Sequence, residues 1–311
     1  MMCMGFVLQA LLFSSAAAFS AGWQVAPARR MVPGRSLSMA QEFAVMVNGM
    51  PGPMALEVAR ACLDRGFTLI STGFTGPNTA GEIIVDGAKK SQSVRLLKGP
   101  GLSDDAVDVL KSLKAANPNL IIVDYTHPAS ALTNIKTYIE CDCDFVMGTT
   151  GLAQRDIDEA FKVGSNIAVV APNMAKQIVA VQYAMLRMAE QFPASFKGYT
   201  LKVTESHQST KADTSGTAKA LVSYLAALNG EDFNAQEIVK LRAEPEQRAF
   251  GVPETALGGH AFHTYALTSQ DGSVEFEFKH NVCGRRIYAE GTADAVQYLS
   301  SLSSLSSLSS L

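Results

Sequence analysis

The sequence has a single tryptophan, and its five cysteines (Cys3, Cys62, Cys141, Cys143 and Cys283) are odd in number and irregular in spacing. That excludes the dense framework of a small disulfide-stapled secreted domain and favours a reducing compartment. Cys141 and Cys143 form a CxC pair, but no second pair or nearby histidine completes a metal-ligand set, so no metal is expected and the thiols read as packing residues. There is no basic excess: 26 Lys and Arg stand against 29 Asp and Glu, a formal net charge of -3. A surface that tracks nucleic-acid phosphates would show one, so no nucleic-acid partner is expected. No apolar run approaches the roughly 20 residues of a bilayer span. What remains is 311 residues, 47% hydrophobic and 18% charged, enough for two domains of a soluble globular protein.

The N-terminal 40 residues contain Arg29, Arg30 and Arg35 but no acid. A short apolar run from Gly5 to Phe13 leads to Ala16, Ala17, Ala18 and then Phe19, a signal-like segment joined to a transit-like one. The pattern resembles the two-part presequences of algae with secondary plastids, and it predicts residues 1–40 as a targeting segment and a plastid (chloroplast) stroma as destination, with no membrane in the mature form. At the other end, leucines at 299, 302, 305, 308 and 311 recur in a Ser-Ser-Leu repeat. A spacing of three drifts around a 3.6-residue helix, so residues 299–311 are expected to be a low-complexity tail.

Between these ends lies a βαβ pattern. An apolar strand over 42–47 runs into Asn48-Gly49-Met50-Pro51-Gly52-Pro53-Met54-Ala55, followed by a helix ending near Gly66 and a second strand over 67–71. A strand, a glycine turn and a helix N-terminus suit a dinucleotide: Gly49 allows the sharp turn, Gly52 allows backbone N–H groups near a pyrophosphate, and Pro53 fits the first helical turn. Alone the turn is weak evidence, since a plain loop has the same composition. Apolar runs at 120–124, 145–148 and 167–171 then alternate with helical stretches, which predicts a doubly wound, Rossmann-like parallel sheet over residues 41–171. Gly148-Thr149-Thr150 and Ala171-Pro172-Asn173-Met174 follow two of these strands at the carboxyl edge, where such sheets bind ligands. The second strand ends in Ser71-Thr72-Gly73 without an acid for a ribose 2'-hydroxyl or an adjacent Arg. A missing carboxylate removes repulsion from a 2'-phosphate and favours NADPH, leaving NADH open.

A third set of residues carries acid chemistry. A strand at 201–204 ends in Glu205-Ser206-His207-Gln208-Ser209-Thr210-Lys211-Ala212-Asp213-Thr214-Ser215-Gly216-Thr217, and a helical pattern runs on to about Leu228. Ser215, Gly216 and Thr217 offer hydroxyls and helix-start N–H groups to an anion, Lys211 adds a cation, and His207 titrates near neutral pH. Singly, each has a bland reading as a cap, a solvated charge or a structural histidine. Together after a dinucleotide domain they favour an active site.

With these residues in hand, the sequence resembles the dihydrodipicolinate reductase family. The segment from Glu205 to Ala220 follows its E-[AS]-H-x(3)-K-x-D-x-S-G-T-A pattern, and the Gly49 turn, the Gly148 run and the closing segment from His280 agree in order. FVMGTTG, ESHQ, GHAFH and HNVCGR point to the branch found in plants and algae. The resemblance covers about residues 42–299. It implies hydride transfer from NADPH or NADH to a cyclic imine dicarboxylate of lysine (diaminopimelate) biosynthesis. His207 would be the general acid, Lys211 would help deliver the proton or hold a carboxylate, and Gly216 and Thr217 would grip a carboxylate. Gln208 stands where many bacterial relatives have a second histidine, and Gly49 to Met54, Gly148 to Thr150 and Ala171 to Met174 would contact the cofactor.

Residues 172–298 are expected to form an α+β domain with a mixed sheet that binds substrate and joins subunits of a homo-oligomer, dimer or tetramer. A hairpin is predicted around Gln270, Asp271 and Gly272. His260 and His263, three apart in a strand, point to opposite faces and are expected to be structural. Two other readings stay open: another NAD(P)-linked oxidoreductase of amino-acid metabolism, and a catalytically silent dinucleotide-binding regulator.

Overall fold

A computed structural model of the chain describes residues 43–79, 81–164 and 166–308, the last six as backbone. The expected presequence, residues 1–40, lies outside the described residues.

The first half follows the predicted alternation. In chain order it comprises β1 (Ala44–Asn48), α1 (Pro53–Asp64), β2 (Thr68–Leu69), β3 (Thr72–Thr75), β4 (Gly81–Asp86), β5 (Ser91–Lys98), α2 (Ala106–Ala116), β6 (Leu120–Asp124), α3 (Pro128–Glu140), β7 (Asp144–Met147), α4 (Gln154–Ala160) and β8 (Ala168–Val170). Five strands form a parallel sheet in the order β2-β1-β6-β7-β8. Every residue of β1 and β6 is buried, as expected of central strands covered by helices on both faces. The second strand is shorter than the sequence suggests. The chain leaves the main sheet after Leu69, and Thr72 to Thr75 join a separate three-stranded sheet, β3-β5-β4, in which β4 and β5 form a hairpin that the sequence did not announce.

The second half contains α5 (Lys176–Gln191), β9 (Thr200–His207), α6 (Gly216–Asn229), β10 (Val239–Leu241), α7 (Glu244–Ala249), β11 (His260–Thr268), β12 (Glu275–Cys283) and α8 (Arg286–Leu308). Its mixed sheet runs β10-β9-β11-β12, with β10 parallel to β9 and the other neighbours antiparallel. Val203, Tyr265 and Leu267 from one face of this sheet share a core with Met185 of α5 and Leu221 and Leu225 of α6.

The C-terminal segment corrects two expected boundaries. Instead of closing the second domain, α8 returns to the first: Ala289, Ala293, Val296 and Leu299 are buried in one cluster with Val58 and Cys62 of α1. The small residues permit a close approach, and at Gly291 an added Cβ would lie 1.7 Å from the Met174 carbonyl oxygen. Burial of Val296 and Leu299 is worth roughly 1.5–3 kcal/mol each. Arg65 adds ion pairs to Glu290 and Asp294, and Arg286 adds one to Asp64. Leu299 is therefore a core residue, not the start of a tail, and the helix continues to Leu308. None of the described helices is long and apolar enough to cross a membrane.

Candidate active site

The carboxyl edge of the parallel sheet gathers the three expected nucleotide segments. β1 ends in Asn48, whose side chain accepts from the Phe74 N–H at 2.8 Å and donates to the Tyr138 hydroxyl at 2.9 Å. Gly49 has φ +101°, and a Cβ there would lie 2.2 Å from the Tyr125 carbonyl oxygen, so no other residue fits. The Gly52 N–H donates to the Gly49 carbonyl at 2.9 Å, and a Cβ at Gly52 would stand 2.7 Å from that same oxygen. Gly52 thus serves the turn itself. The Met50 side chain is fully buried and its carbonyl accepts from the Thr75 hydroxyl, whereas Pro51 and Pro53 are exposed and Met54 half-buried. Gly52 caps α1 without a side-chain hydrogen bond, and no acid stands in the first turn. The first N–H groups of the helix are open to an anion, as a dinucleotide pyrophosphate requires.

Beside this turn, Asp124 at the end of β6 is a buried hub. One carboxylate oxygen accepts from the Thr126 N–H and from the hydroxyls of Thr126 and Thr149; the other accepts from Asn134 and Tyr138. These bonds fix the Gly148-Thr149-Thr150 loop relative to β6. Gly148 makes room for the Tyr125 ring, which an added Cβ would meet at 2.3 Å. Thr149 is buried and Thr150 exposed. One strand further along, the Ala171 N–H donates to the Met147 carbonyl, Pro172 is exposed, Met174 is buried, and Asn173 donates to the Thr217 hydroxyl at 3.2 Å. That bond joins the nucleotide edge to the start of α6 and so to the acid-bearing loop.

β9 delivers Glu205 and His207 to the face of the mixed sheet that carries its core. Glu205 is fully buried; one oxygen pairs with Arg242 and the other accepts from the Ser215 N–H at 3.0 Å. Arg242 also donates to the carbonyl of Lys211 at 2.7 Å and of Asp213 at 3.2 Å, so the whole loop is strapped to one buried carboxylate. Ser215 is the N-cap of α6 but makes no side-chain cap bond. Its N–H is committed to Glu205, which leaves the N–H groups of Gly216 and Thr217 as the helix-start donors. Lys211 is 24% exposed and its ammonium donates to Asp213 at 2.7 Å. Gln208 is half-buried.

His207 is buried. Its Nδ1–H donates to the His260 carbonyl at 3.1 Å, and its Nε2 stands 3.3 Å from Nε2 of His263. Burial pushes His207 down to about 4, opposed by the charge of Glu205 and reinforced by Arg242 and Lys211. In the free protein at neutral pH it is a neutral imidazole, not the near-neutral titrating group expected from sequence. Negative charge brought next to it would raise its affinity for a proton. Burial lowers His260, His263 and His280 as well.

The register places His263 and His260 on opposite faces, as their spacing implies. His260 is a structural residue, donating from Nδ1 to Ala256 and accepting from Ser206. His263 differs from the expectation: it pairs across the strands with Glu205 and His280 and belongs to the His207 site. Glu205, His207 and His263 have ligand atoms within 4.8 Å of one another, but both oxygens of Glu205 are already held and the cations Arg242 and Lys211 act on this cluster. The arrangement suits proton handling better than metal binding. Sequence reasoning missed Arg242, Gln247 and His280. Gln247 donates to the carbonyls of His207 and Arg242, and none of the three lies in a motif near the acid loop.

A parallel dinucleotide-type sheet, joined through its carboxyl edge to a mixed sheet that carries a buried imidazole, defines a Rossmann-type two-domain oxidoreductase. Residues 43–174 match the description "Dihydrodipicolinate reductase, N-terminus" and residues 179–310 match "Dihydrodipicolinate reductase, C-terminus". The chain belongs to the dihydrodipicolinate reductase family. It is 44% identical over 259 residues to the probable 4-hydroxy-tetrahydrodipicolinate reductase 2, chloroplastic, of Oryza sativa subsp. japonica, covering 83% of this chain and 77% of that one. Identity to 4-hydroxy-tetrahydrodipicolinate reductase 2, chloroplastic, of Arabidopsis thaliana is 42%, over 86% of this chain and 74% of the relative. The dipicolinate-bound dihydrodipicolinate reductase of Paenisporosarcina sp. TG-14 shares the fold, with a TM-score of 0.57 at 16% identity over 84% of this chain and 96% of that one.

Proposed function

We propose that this chain is the NAD(P)H-dependent reductase of lysine biosynthesis that converts 4-hydroxy-tetrahydrodipicolinate, by way of dihydrodipicolinate formed with loss of water, to tetrahydrodipicolinate. The observation that carries the reading is the Asn173 to Thr217 bond, because it sets the nucleotide edge against the one loop that combines a buried imidazole, a lysine and an open helix start. Bound at the Gly49 to Met54 turn and the loops from Gly148 and Ala171, the nicotinamide supplies the hydride. The protein's own task is to hold a dicarboxylate and to provide a proton to the ring that receives the hydride.

Gly216 and Thr217 hold one carboxylate through their N–H groups, with the Ser215 and Thr217 hydroxyls beside them. Lys211 turns from Asp213 to the substrate carboxylate, and Gln208 lines the same side. Two carboxylates next to His207 offset its desolvation and favour the imidazolium, so the acid is charged when substrate is present. Its proton then passes to the ring carbon beside the one that receives the hydride.

NADPH is the preferred donor. Ser71 offers no carboxylate, and β5 brings the exposed Arg95 alongside it, with the Arg95 N–H donating to the Ser71 carbonyl at 2.9 Å. The sequence hides this neighbour because Arg95 belongs to another strand. Exposed Val239 and Phe276 on the edge strands of the mixed sheet, with Val274 in the turn before β12, support a homo-oligomer, dimer or tetramer. The acid-free residues 1–40 and the chloroplastic names of the plant relatives support delivery to the plastid stroma by a two-part presequence. A fluorescent reporter fused to residues 1–40 should enter plastids; a cytosolic or secreted signal contradicts the targeting.

The test of the activity is nucleotide oxidation by the purified chain from Met39 with freshly made cyclic substrate or aspartate semialdehyde, beside nucleotide reduction with homoserine. Turnover only with the cyclic substrate is expected. Turnover with either other compound alone, or nucleotide binding without turnover, overturns the reading.

A further inference from the structure

We propose that His263 is a positioning residue that acts through His207, returning to it the proton that each turnover consumes. The inference rests on the reductase reading above. A carbonyl oxygen only accepts, so the bond to His260 places a hydrogen on Nδ1 of His207. Neutral His207 then has a lone pair on Nε2. At 3.3 Å from it, Nε2 of His263 must carry a hydrogen, since two facing lone pairs would repel. This assigns His263 as the Nε2–H tautomer with a bare Nδ1. That Nδ1 is buried and has no hydrogen-bond partner.

An imidazole in this state passes a proton without moving. A hydronium ion gives its proton to Nδ1 of His263 and leaves as water, while the Nε2–H bond of His263 breaks and that hydrogen bonds to Nε2 of His207, which becomes the imidazolium. His263 is then neutral with its hydrogen on Nδ1; once His207 has discharged and product has left, that hydrogen is lost to one water molecule and Nε2 takes one from a water that has entered the vacated site, which restores the starting tautomer without net charge. The surroundings suit such a step. His280 stacks on His263 with ring centroids 4.5 Å apart, and its Nδ1 is also buried without a partner. On α5, Gln182 is buried with both amide atoms unpartnered. One helical turn before it, Ile178 clusters with Val282; after it, Met185 clusters with Tyr265. Gln182 therefore falls between these levels, at the height of the His263 and His280 pair. The charged groups acting on the cluster are Glu205, Arg242 and Lys211, and the Tyr265 hydroxyl stands 3.4 Å from Nε2 of His280. Such a polar seam beneath a sheet has no packing purpose, and each unpartnered atom costs stability.

Two measurements test the proposal. Nitrogen NMR of the five histidines in the unmodified free protein should find His207 as the Nδ1–H tautomer and His263 as the Nε2–H tautomer; His263 protonated at Nδ1 overturns it. Steady-state kinetics of His263→Ala and His263→Gln should show kcat lowered about tenfold or more, less than the 10² to 10⁴ of losing a general acid. KM for substrate and nucleotide should hold within about twofold, and added imidazole should restore kcat in the alanine variant. A purely packing role would move KM and melting temperature together and give no imidazole rescue, which contradicts the relay. If wild type turns over and His207→Gln does not, while both His263 variants match wild type, the relay fails and the reductase reading stands. If wild type does not turn over, the reductase reading itself has failed.

Discussion

The Asn173 side chain donates to the Thr217 hydroxyl at 3.2 Å, linking the loop after the last strand of the parallel sheet to the first turn of the helix behind the acid loop. Asn173 is held in turn by its own bond from the Ala175 N–H. If this link sets the distance between nucleotide and substrate, Asn173→Ala and Thr217→Val should each lower kcat. A double-mutant cycle on kcat/KM should give a coupling of about 0.5–1.5 kcal/mol, the size of one neutral hydrogen bond. Additive effects would show that the bond is incidental.

Arg95 gives a nucleotide-specific prediction. Arg95→Ala should raise KM for NADPH by about tenfold, the loss of a charge-assisted contact to phosphate, and leave KM for NADH within about twofold. Equal changes for both nucleotides would remove Arg95 from the 2'-phosphate site.

The buried histidines predict a direction for stability against pH. His207 is lowered from the ordinary 6.5 to about 4, and His260, His263 and His280 are also lowered. The unfolded chain binds more protons than the folded one in that interval, so stability is fully present above about pH 6.5 and falls as pH drops toward 4, by about 1.4 kcal/mol per unit of displacement. Thermal melting at about pH 7.5 and about pH 5 should show a lower midpoint in acid. A dicarboxylate analogue such as dipicolinate should bind with proton uptake, seen by calorimetry in buffers of different ionisation enthalpy. Binding without proton uptake would mean that His207 stays neutral beside the ligand.

The two candidate roles in the acid loop separate kinetically. His207→Gln should lower kcat by about 10² to 10⁴ with little change in KM. Lys211→Ala should chiefly raise substrate KM, and Lys211→Arg should recover part of it, because the charge returns with different reach and shape. Nucleotide affinity should survive all three changes. Near wild-type kcat in His207→Gln would move proton delivery to Lys211 or water.

Much of this architecture was legible in the residues because local and global signals agree there. β1 and β6 are continuous apolar runs, α1 begins at a Gly-Pro step, and the loop from Glu205 to Thr217 concentrates its chemistry in one stretch. What escaped depends on placement. β4 and β5 are mostly exposed, and no expectation attaches to their residues. The destination of α8 rests on Ala289, Ala293, Val296 and Leu299, a stripe whose last member falls inside the Ser-Ser-Leu repeat and is fully buried. The three-residue spacing of His260 and His263 correctly implied opposite faces. Only the β9 to β11 register, which pairs His263 with Glu205 and Ala261 with His207, shows that one of those faces is the one that carries Glu205 and His207. Arg242 and Gln247 stand as lone polar residues in the sequence, and their importance comes from what the fold brings to them.

Transfer of deuterium tests the proposed reaction most directly. The purified chain from Met39 would be given freshly made cyclic substrate and NADPH deuterated at the transferred position of the nicotinamide, with the product read by mass spectrometry. A tetrahydrodipicolinate carrying one deuterium from the nucleotide is the predicted result. A product without nucleotide-derived deuterium, or no substrate-dependent oxidation of NADPH, would contradict hydride transfer to this substrate.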